Sequence, residues 1–278
     1  MRLGCATRPY QALTLPHACE HIAAAGFTEV ALFYNQTQDG AAIAVTADST
    51  APQIAAARQA CDAAGLLPSL LLAGEWQVAG GQAAALDRYR RLIENTQQLG
   101  ASMLLDFGCE HADLLPDYIA LMQAIEPVAR AANITICIKP HGGISTQPLH
   151  LIALKQILTS DVFMLSFDPG NLLYYSAGQI QPEDYIDALA PYCANFIIKD
   201  YQLTPSGPSV AVTPGEGEVD FLSLIRSLHT HQFNGPLYLE LVAGAALPEI
   251  DRNVRRSQQR MTSWHKASKT EFTSLYCN

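Results

Sequence analysis

Charge is scarce in this sequence. Only 15% of its 278 residues are Asp, Glu, Lys or Arg, and the balance is acidic, with a net charge of -9. It contains no run of Lys and Arg, so the electrostatic footprint of a nucleic-acid binder is missing, and an anionic membrane surface is excluded as a partner on the same ground. Also absent is any apolar stretch near the roughly 20 residues that a membrane-crossing helix needs. Cysteine is present but unpatterned, at Cys5, Cys19, Cys61, Cys109, Cys137, Cys193 and Cys277, never as Cys-x-x-Cys. An odd, scattered set reads as reduced thiols, several of them filling core, rather than a disulfide framework or a zinc site. The opening Met1-Arg2 leads into Leu3-Gly4-Cys5-Ala6, too short for the apolar region of a signal peptide. These lacks together give the expectation of a soluble, cytoplasmic protein. A phosphate-cradling Gly-x-Gly-x-x-Gly is missing too: Ala6-Thr7-Arg8-Pro9 follows the first apolar run, which argues against a doubly wound dinucleotide fold.

What is there is hydrophobic residues, 49% of the chain, in short runs bounded by turn residues. Runs at 3–6, 29–33, 68–72, 102–107, 134–139, 163–168, 196–200 and 237–241 read as buried strands. Helical patterns lie between them, at 16–25, 52–64, 86–99, 116–132, 147–159, 182–192 and 221–231, with a last one at 248–264. Gly26, Gly65, Gly100 and Asn133 stand just past the first four, where a left-handed residue ends a helix. Eight strand–helix alternations with short connections predict a parallel sheet closed into a (β/α)8 barrel, and the length is close to the roughly 250 residues typical of one. Residues 1–278 are expected to form a single domain, with 265–278 a polar tail that frays. The longest loop, 201–219, is rich in Pro, Gly and Ser and is expected to be functional or mobile.

In such a barrel the C-terminal strand ends share one pocket. Those ends hold Asp106, Lys139, Asp168, Lys199 with Asp200, and Glu240, while His141, Asn171 and Tyr201 follow within three residues. Each has a plainer reading. Asp168 before Pro169-Gly170-Asn171 could shape a turn, Lys199-Asp200 could be a structural ion pair, His141 could be merely exposed, and Asp106 could cap a helix. Arg8 reads equally as a ligand for a carboxylate or phosphate and as a solvated surface residue. Lys139 is the most unexpected of them, because an unpaired charge at a buried strand end costs several kcal/mol.

The chain resembles the sugar phosphate isomerase/epimerase family, the xylose isomerase-like barrels, over essentially its whole length. The motifs that carry the resemblance are Phe167-Asp168-Pro169-Gly170-Asn171, Ile197-Ile198-Lys199-Asp200, and Pro214-Gly215-Glu216-Gly217-Glu218-Val219-Asp220-Phe221 followed by Gly235-Pro236-Leu237-Tyr238-Leu239-Glu240. The resemblance implies a small carbohydrate substrate, substrate contacts from Glu216 and the residues above, a homo-oligomer, and one divalent cation (manganese, magnesium or zinc). Its ligands in the family are a Glu ending the fifth strand, an Asp ending the sixth, a His on the seventh and a Glu on the eighth. Asp168 and Glu240 match. Lys139 stands at the Glu position and Ile197 at the His position, and Asn171 replaces a His that several relatives use for substrate.

Two carboxylates alone hold a dication weakly, and an ammonium beside them repels it. The favoured expectation is therefore that Lys139 stands in for the metal, stabilising enolate charge while Asp168 or Glu240 acts as base in an isomerisation or epimerisation. One alternative keeps the cation on Asp168, Glu240 and His141, with Lys139 turned aside. Another makes Lys139 a Schiff-base nucleophile. Dehydration or decarboxylation would share the same enolate, and a non-catalytic sugar-binding or regulatory barrel is the rival from another class. An apurinic endonuclease of the same fold is disfavoured by the few histidines at strand ends and the acidic charge.

Overall fold

The structure, a computed structural model, describes residues 1–276, with side chains through Ser268. The barrel strands are β1 (Leu3–Ala6), β2 (Glu29–Leu32), β5 (Leu67–Leu72), β6 (Met103–Asp106), β7 (Thr135–Ile138), β8 (Phe163–Phe167), β9 (Cys193–Ile198) and β12 (Leu237–Leu239). They close in the order β1-β12-β9-β8-β7-β6-β5-β2. Every pairing is parallel, so a helical crossover returns the chain after each strand. The crossover helices are α1 (Leu15–Ala24), α2 (Ala51–Ala63), α3 (Gly81–Leu99), α4 (Leu115–Ala132), α5 (Pro148–Ile157), the short α7 (Ile186–Leu189) and α8 (Phe221–Thr230), and α9 (Leu247–Tyr276) follows the last strand. This is the (β/α)8 barrel expected from the alternation.

The differences lie in the connections. Two antiparallel hairpins, β3 (Tyr34–Thr37) with β4 (Gly40–Ile43) and β10 (Gln202–Thr204) with β11 (Gly207–Ser209), extend loops at the C-terminal side. The second occupies the long loop at 201–219. A short helix, α6 (Pro169–Tyr175), begins directly after β8, started by Pro169 and capped by the Asp168 carboxylate, which accepts the Asn171 N–H at 2.9 Å. The helix expected at 182–192 is broken into two 3-10 turns around α7. The last helix continues past Trp264 to Tyr276, so the frayed tail anticipated from 265 is helical backbone that far. Six cysteines are buried free thiols, as expected of core filler, and Cys277 lies outside the described residues. Among the described residues no helix is long and apolar enough to cross a membrane.

Side chains alternate across each strand, so the sheet has two apolar faces. Ala6, Ala31, Phe33, Leu70, Leu72, Met103, Leu105, Cys137, Ile197 and Tyr238 form one cluster, contributed by every second residue of seven strands, and fill the barrel interior. The intervening residues, among them Cys5, Val30, Leu71, Leu104, Ile136, Phe167, Ile198 and Leu239, pack outward under the helices. Leu105 is fully buried in the inner layer. Truncating it to alanine should cost about 2–5 kcal/mol in urea unfolding, because a closed ring of strands cannot collapse onto the cavity.

Candidate functional site

Stepping two residues beyond the interior members of each strand names the side chains that face the barrel mouth. From Ala6 this reaches Arg8. From Leu105 it reaches Phe107, and from Cys137 it reaches Lys139. Ile197 leads to Lys199 and Tyr238 to Glu240. On β8 the inner residue is Ser166, which donates to Asn195 at 2.5 Å, and two further lies Asp168. Asp106 and Asp200 fall on the opposite parity and point outward.

The inward set meets at one point. The Lys139 ammonium donates to Asp168 Oδ2 at 2.9 Å and to Glu240 Oε2 in a direct buried contact. The Lys199 ammonium reaches the same Asp168 oxygen at 3.2 Å, Glu240 Oε1 at 2.5 Å and Asn171 Oδ1 at 3.1 Å. Arg8 donates Nη1 to Glu240 Oε1 at 2.7 Å. Both lysines are at most 2% exposed, and both carboxylates are fully buried, so these charges neutralise one another rather than being solvated. Asn171 is fixed by donating Nδ2 to the Pro140 carbonyl at 2.6 Å, which ties α6 to the loop that follows β7. Gly170 is required beside it: a Cβ there would stand 2.5 Å from the Lys199 carbonyl oxygen and 2.9 Å from its Cγ.

The two lysines differ electrostatically. Burial opposes the charge on Lys139, but Asp168 and Glu240 outweigh it and hold the ammonium above its ordinary value. At Lys199 burial wins over the same carboxylates, helped by the Lys139 and Arg8 charges, and pushes it down to about 8. Burial would raise Glu240, yet Lys139, Lys199 and Arg8 together pull its carboxyl well below the usual range. Three cations face two carboxylates, leaving one positive charge over.

A divalent cation does not fit this donor set. Both Glu240 oxygens and both Asp168 oxygens already accept hydrogen bonds. A dication about 4 Å from one ammonium would meet roughly 8 kcal/mol of repulsion even at an effective dielectric of 20, and here there are two ammoniums. Lys139 is not turned aside, as the arrangement with His141 as third ligand requires. His141 instead stacks on Phe107, with ring centroids 3.9 Å apart, and meets Tyr175 edge-on at 5.6 Å. Its Nδ1 lies 3.9 Å from the Glu110 carboxylate. Among the described residues no cluster of three His, Cys, Asp or Glu side chains is arranged to hold a metal.

Four other residues expected to bind substrate have different surroundings. Asp106 accepts from the Tyr118 hydroxyl at 2.6 Å, the Gly108 N–H at 2.7 Å and the Tyr89 hydroxyl, so it secures β6 to α3 and α4. Asp200 accepts four backbone N–H groups, those of Tyr201, Gly215, Gly217 and Val219, at 2.8–3.1 Å, and so folds the 201–219 loop. It therefore does not pair with Lys199. Tyr201 is fully buried, and Glu216 pairs with Arg256 at 2.6 Å and Arg260 at 3.4 Å on α9. Arg8, left open in the sequence, joins the cluster. Its signal was parity with the interior residue Ala6.

A family model described as xylose isomerase-like TIM barrel matches residues 19–264. A structure of an L-ribulose 3-epimerase superposes with a TM-score of 0.77 at 13% identity, covering 99% of this chain and 98% of that one. A D-psicose 3-epimerase from Clostridium cellulolyticum H10 gives 0.73 at 11% identity, with 95% and 99% covered. A xylose isomerase-like TIM barrel protein from Mycobacterium smegmatis, solved in complex with magnesium, gives 0.70 at 17%, with 90% and 89% covered. At these identities the likeness is one of fold. No curated protein matches the chain.

Burial, then the Lys139 and Lys199 charges, push His141 down to about 4, so its imidazole is neutral at pH 7. An unfolded histidine titrates near 6.5. Between about pH 6.5 and 4 the unfolded chain therefore binds a proton that the folded chain refuses, and stability falls as pH drops through that window. The loss should be about 2 kcal/mol, allowing for the ring's partial exposure. Urea unfolding at pH 7 and 4.5 should show His141→Gln losing less stability than the parent by that amount.

Proposed function

This chain belongs to the family of xylose isomerase-like TIM barrels, and on that premise we propose that it transfers a proton beside the carbonyl of a small polyhydroxy compound, as an isomerase or epimerase. The observation that supports this reading is the pair of ammonium groups sharing two buried carboxylates at the barrel mouth. Groups with the same partners whose proton affinities are driven apart divide naturally into acid and base.

Lys139 keeps its proton. Its two acceptors leave one ammonium N–H for a substrate oxygen, where it stabilises the negative charge that develops as the α-proton leaves. Lys199, poised near neutrality, is the base. Its neutral amine, the lone pair turned away from one of its three acceptors, takes the proton from carbon, and the bonding pair moves onto the carbonyl oxygen facing Lys139. Return of that proton to the neighbouring carbon, once a hydroxyl proton has shifted between the oxygens, gives an isomer. Return to the same carbon, after the enediolate has turned its other face to Lys199, gives an epimer. This assignment replaces the carboxylate base expected from the sequence, because three cations make Glu240 too weak a base. Asp168 and Glu240 hold both lysines in place.

Incubating the protein in D2O with C3–C6 aldoses and ketoses should incorporate solvent deuterium at the carbon next to the carbonyl, at a rate unchanged by exhaustive dialysis against EDTA. Lys199→Met should slow exchange by a factor of about 100 or more while retaining ligand binding. Because the base must be unprotonated, kcat/KM should rise with pH through a midpoint near 8. A sugar that binds without exchanging would mark a binding barrel instead, and an exchange rate that EDTA abolishes would overturn the lysine electrophile.

A further inference from the structure

Resting on that reading, we propose that the substrate carries a carboxylate, a keto acid with hydroxyl groups rather than a neutral sugar, and that Arg8 binds it. Arg8 lies on a short 3-10 turn after β1 that is anchored by Tyr10, whose buried ring hydrogen-bonds Asp251 at 2.9 Å. The guanidinium has five N–H donors in a planar fork, and among the described residues only Glu240 takes up any of them. It is 37% exposed, whereas the other four charged members of the cluster are at most 2% exposed. It is thus the most exposed charge of the group and the first that an arriving ligand meets.

The charge count points the same way. While Lys199 holds its proton the cluster carries one positive charge more than its carboxylates cancel, and it is balanced once Lys199 is neutral, inside a chain that is otherwise strongly acidic. A neutral sugar would leave that charge uncompensated under its own desolvating body, whereas one carboxylate cancels it. A carboxylate also suits the two-pronged edge of a guanidinium. A phosphate dianion would overshoot the charge. The helix N-terminus at the cluster, that of α6, is already capped by Asp168. The neutral, half-buried His141 flanked by Phe107 and Tyr175 adds no charge and offers flat faces to the carbon chain.

The test is calorimetric titration of the full chain with matched probes: the C4–C6 aldonates and 2-ketoaldonates, the ketoses of the same length and configuration, and the corresponding ketose phosphates. At least one acid should bind about 10-fold or more tightly than its neutral partner. Arg8→Gln should erase that preference, lowering affinity for the acids about 10-fold more than affinity for the neutral sugars, and Arg8→Lys should restore part of it. Circular dichroism checks that both variants are folded. The proposal falls if no acid outbinds its neutral partner, if the preference survives in Arg8→Gln, or if the phosphates bind more tightly than the carboxylates. Deuterium exchange on the same complexes separates the two readings. Acids that bind through Arg8 without exchanging overturn the proton-transfer function alone. Neutral ketoses that exchange as well as acids overturn only the carboxylate.

Discussion

Everything at the mouth of this barrel depends on the neutralisation of Asp168 and Glu240. Two carboxylates buried side by side cannot both stay ionised unless positive charge is held between them. The resemblance in sequence implies a divalent ion in that place. This chain supplies two positive charges as ammonium groups on the strands that flank β8, Lys139 after β7 and Lys199 after β9. Losing either would leave Arg8 and the other lysine against the two carboxylates and strip buried oxygens of hydrogen bonds, at about 1–3 kcal/mol for each group left unsatisfied. The same contacts therefore govern stability and chemistry, and the helices, strand register and Gly170 can be understood as holding four side chains within hydrogen-bond reach.

Covalent tethering distinguishes ammonium groups from an ion. A metal offers open coordination positions and exchanges with solvent. A lysine brings its charge on a four-carbon stem, offers N–H donors in place of a Lewis-acid site, and can itself accept a proton. That last property makes the asymmetry between the two lysines consequential. Lys199 carries the added repulsion of Arg8 and yields its proton more readily than Lys139 does.

The barrel was legible in the sequence because eight apolar runs recur with helical patterns between them, and Lys139, Asp168 and Glu240 were legible because charge at the end of such a run is rare. The direction of each side chain was not. In strands buried on both faces no alternation of apolar and polar residues marks the inside, so Asp106 looked equivalent to Lys139 although it faces α3 and α4. One inward residue would have settled each strand: with Lys199 pointing in, its neighbour Asp200 must point out. The hairpins were hidden because four-residue and three-residue strands such as Tyr34–Thr37 and Gly207–Ser209 carry too little pattern. The paired lysines also escaped, since Lys199 beside Asp200 suggested a local ion pair.

Adjacent residues with opposite orientations also link two parts of the molecule mechanically. Lys199 reaches into the cluster, while Asp200, one peptide on, grips four amides of the 201–219 loop. A shift of that loop pulls on the same short piece of backbone that sets the height of the Lys199 stem. Replacing the loop with one of different length would be tolerated only if amides equivalent to those of Gly215, Gly217 and Val219 still converge on Asp200. The freedom to vary what lies over the mouth is thus bounded by the spacing of three N–H groups.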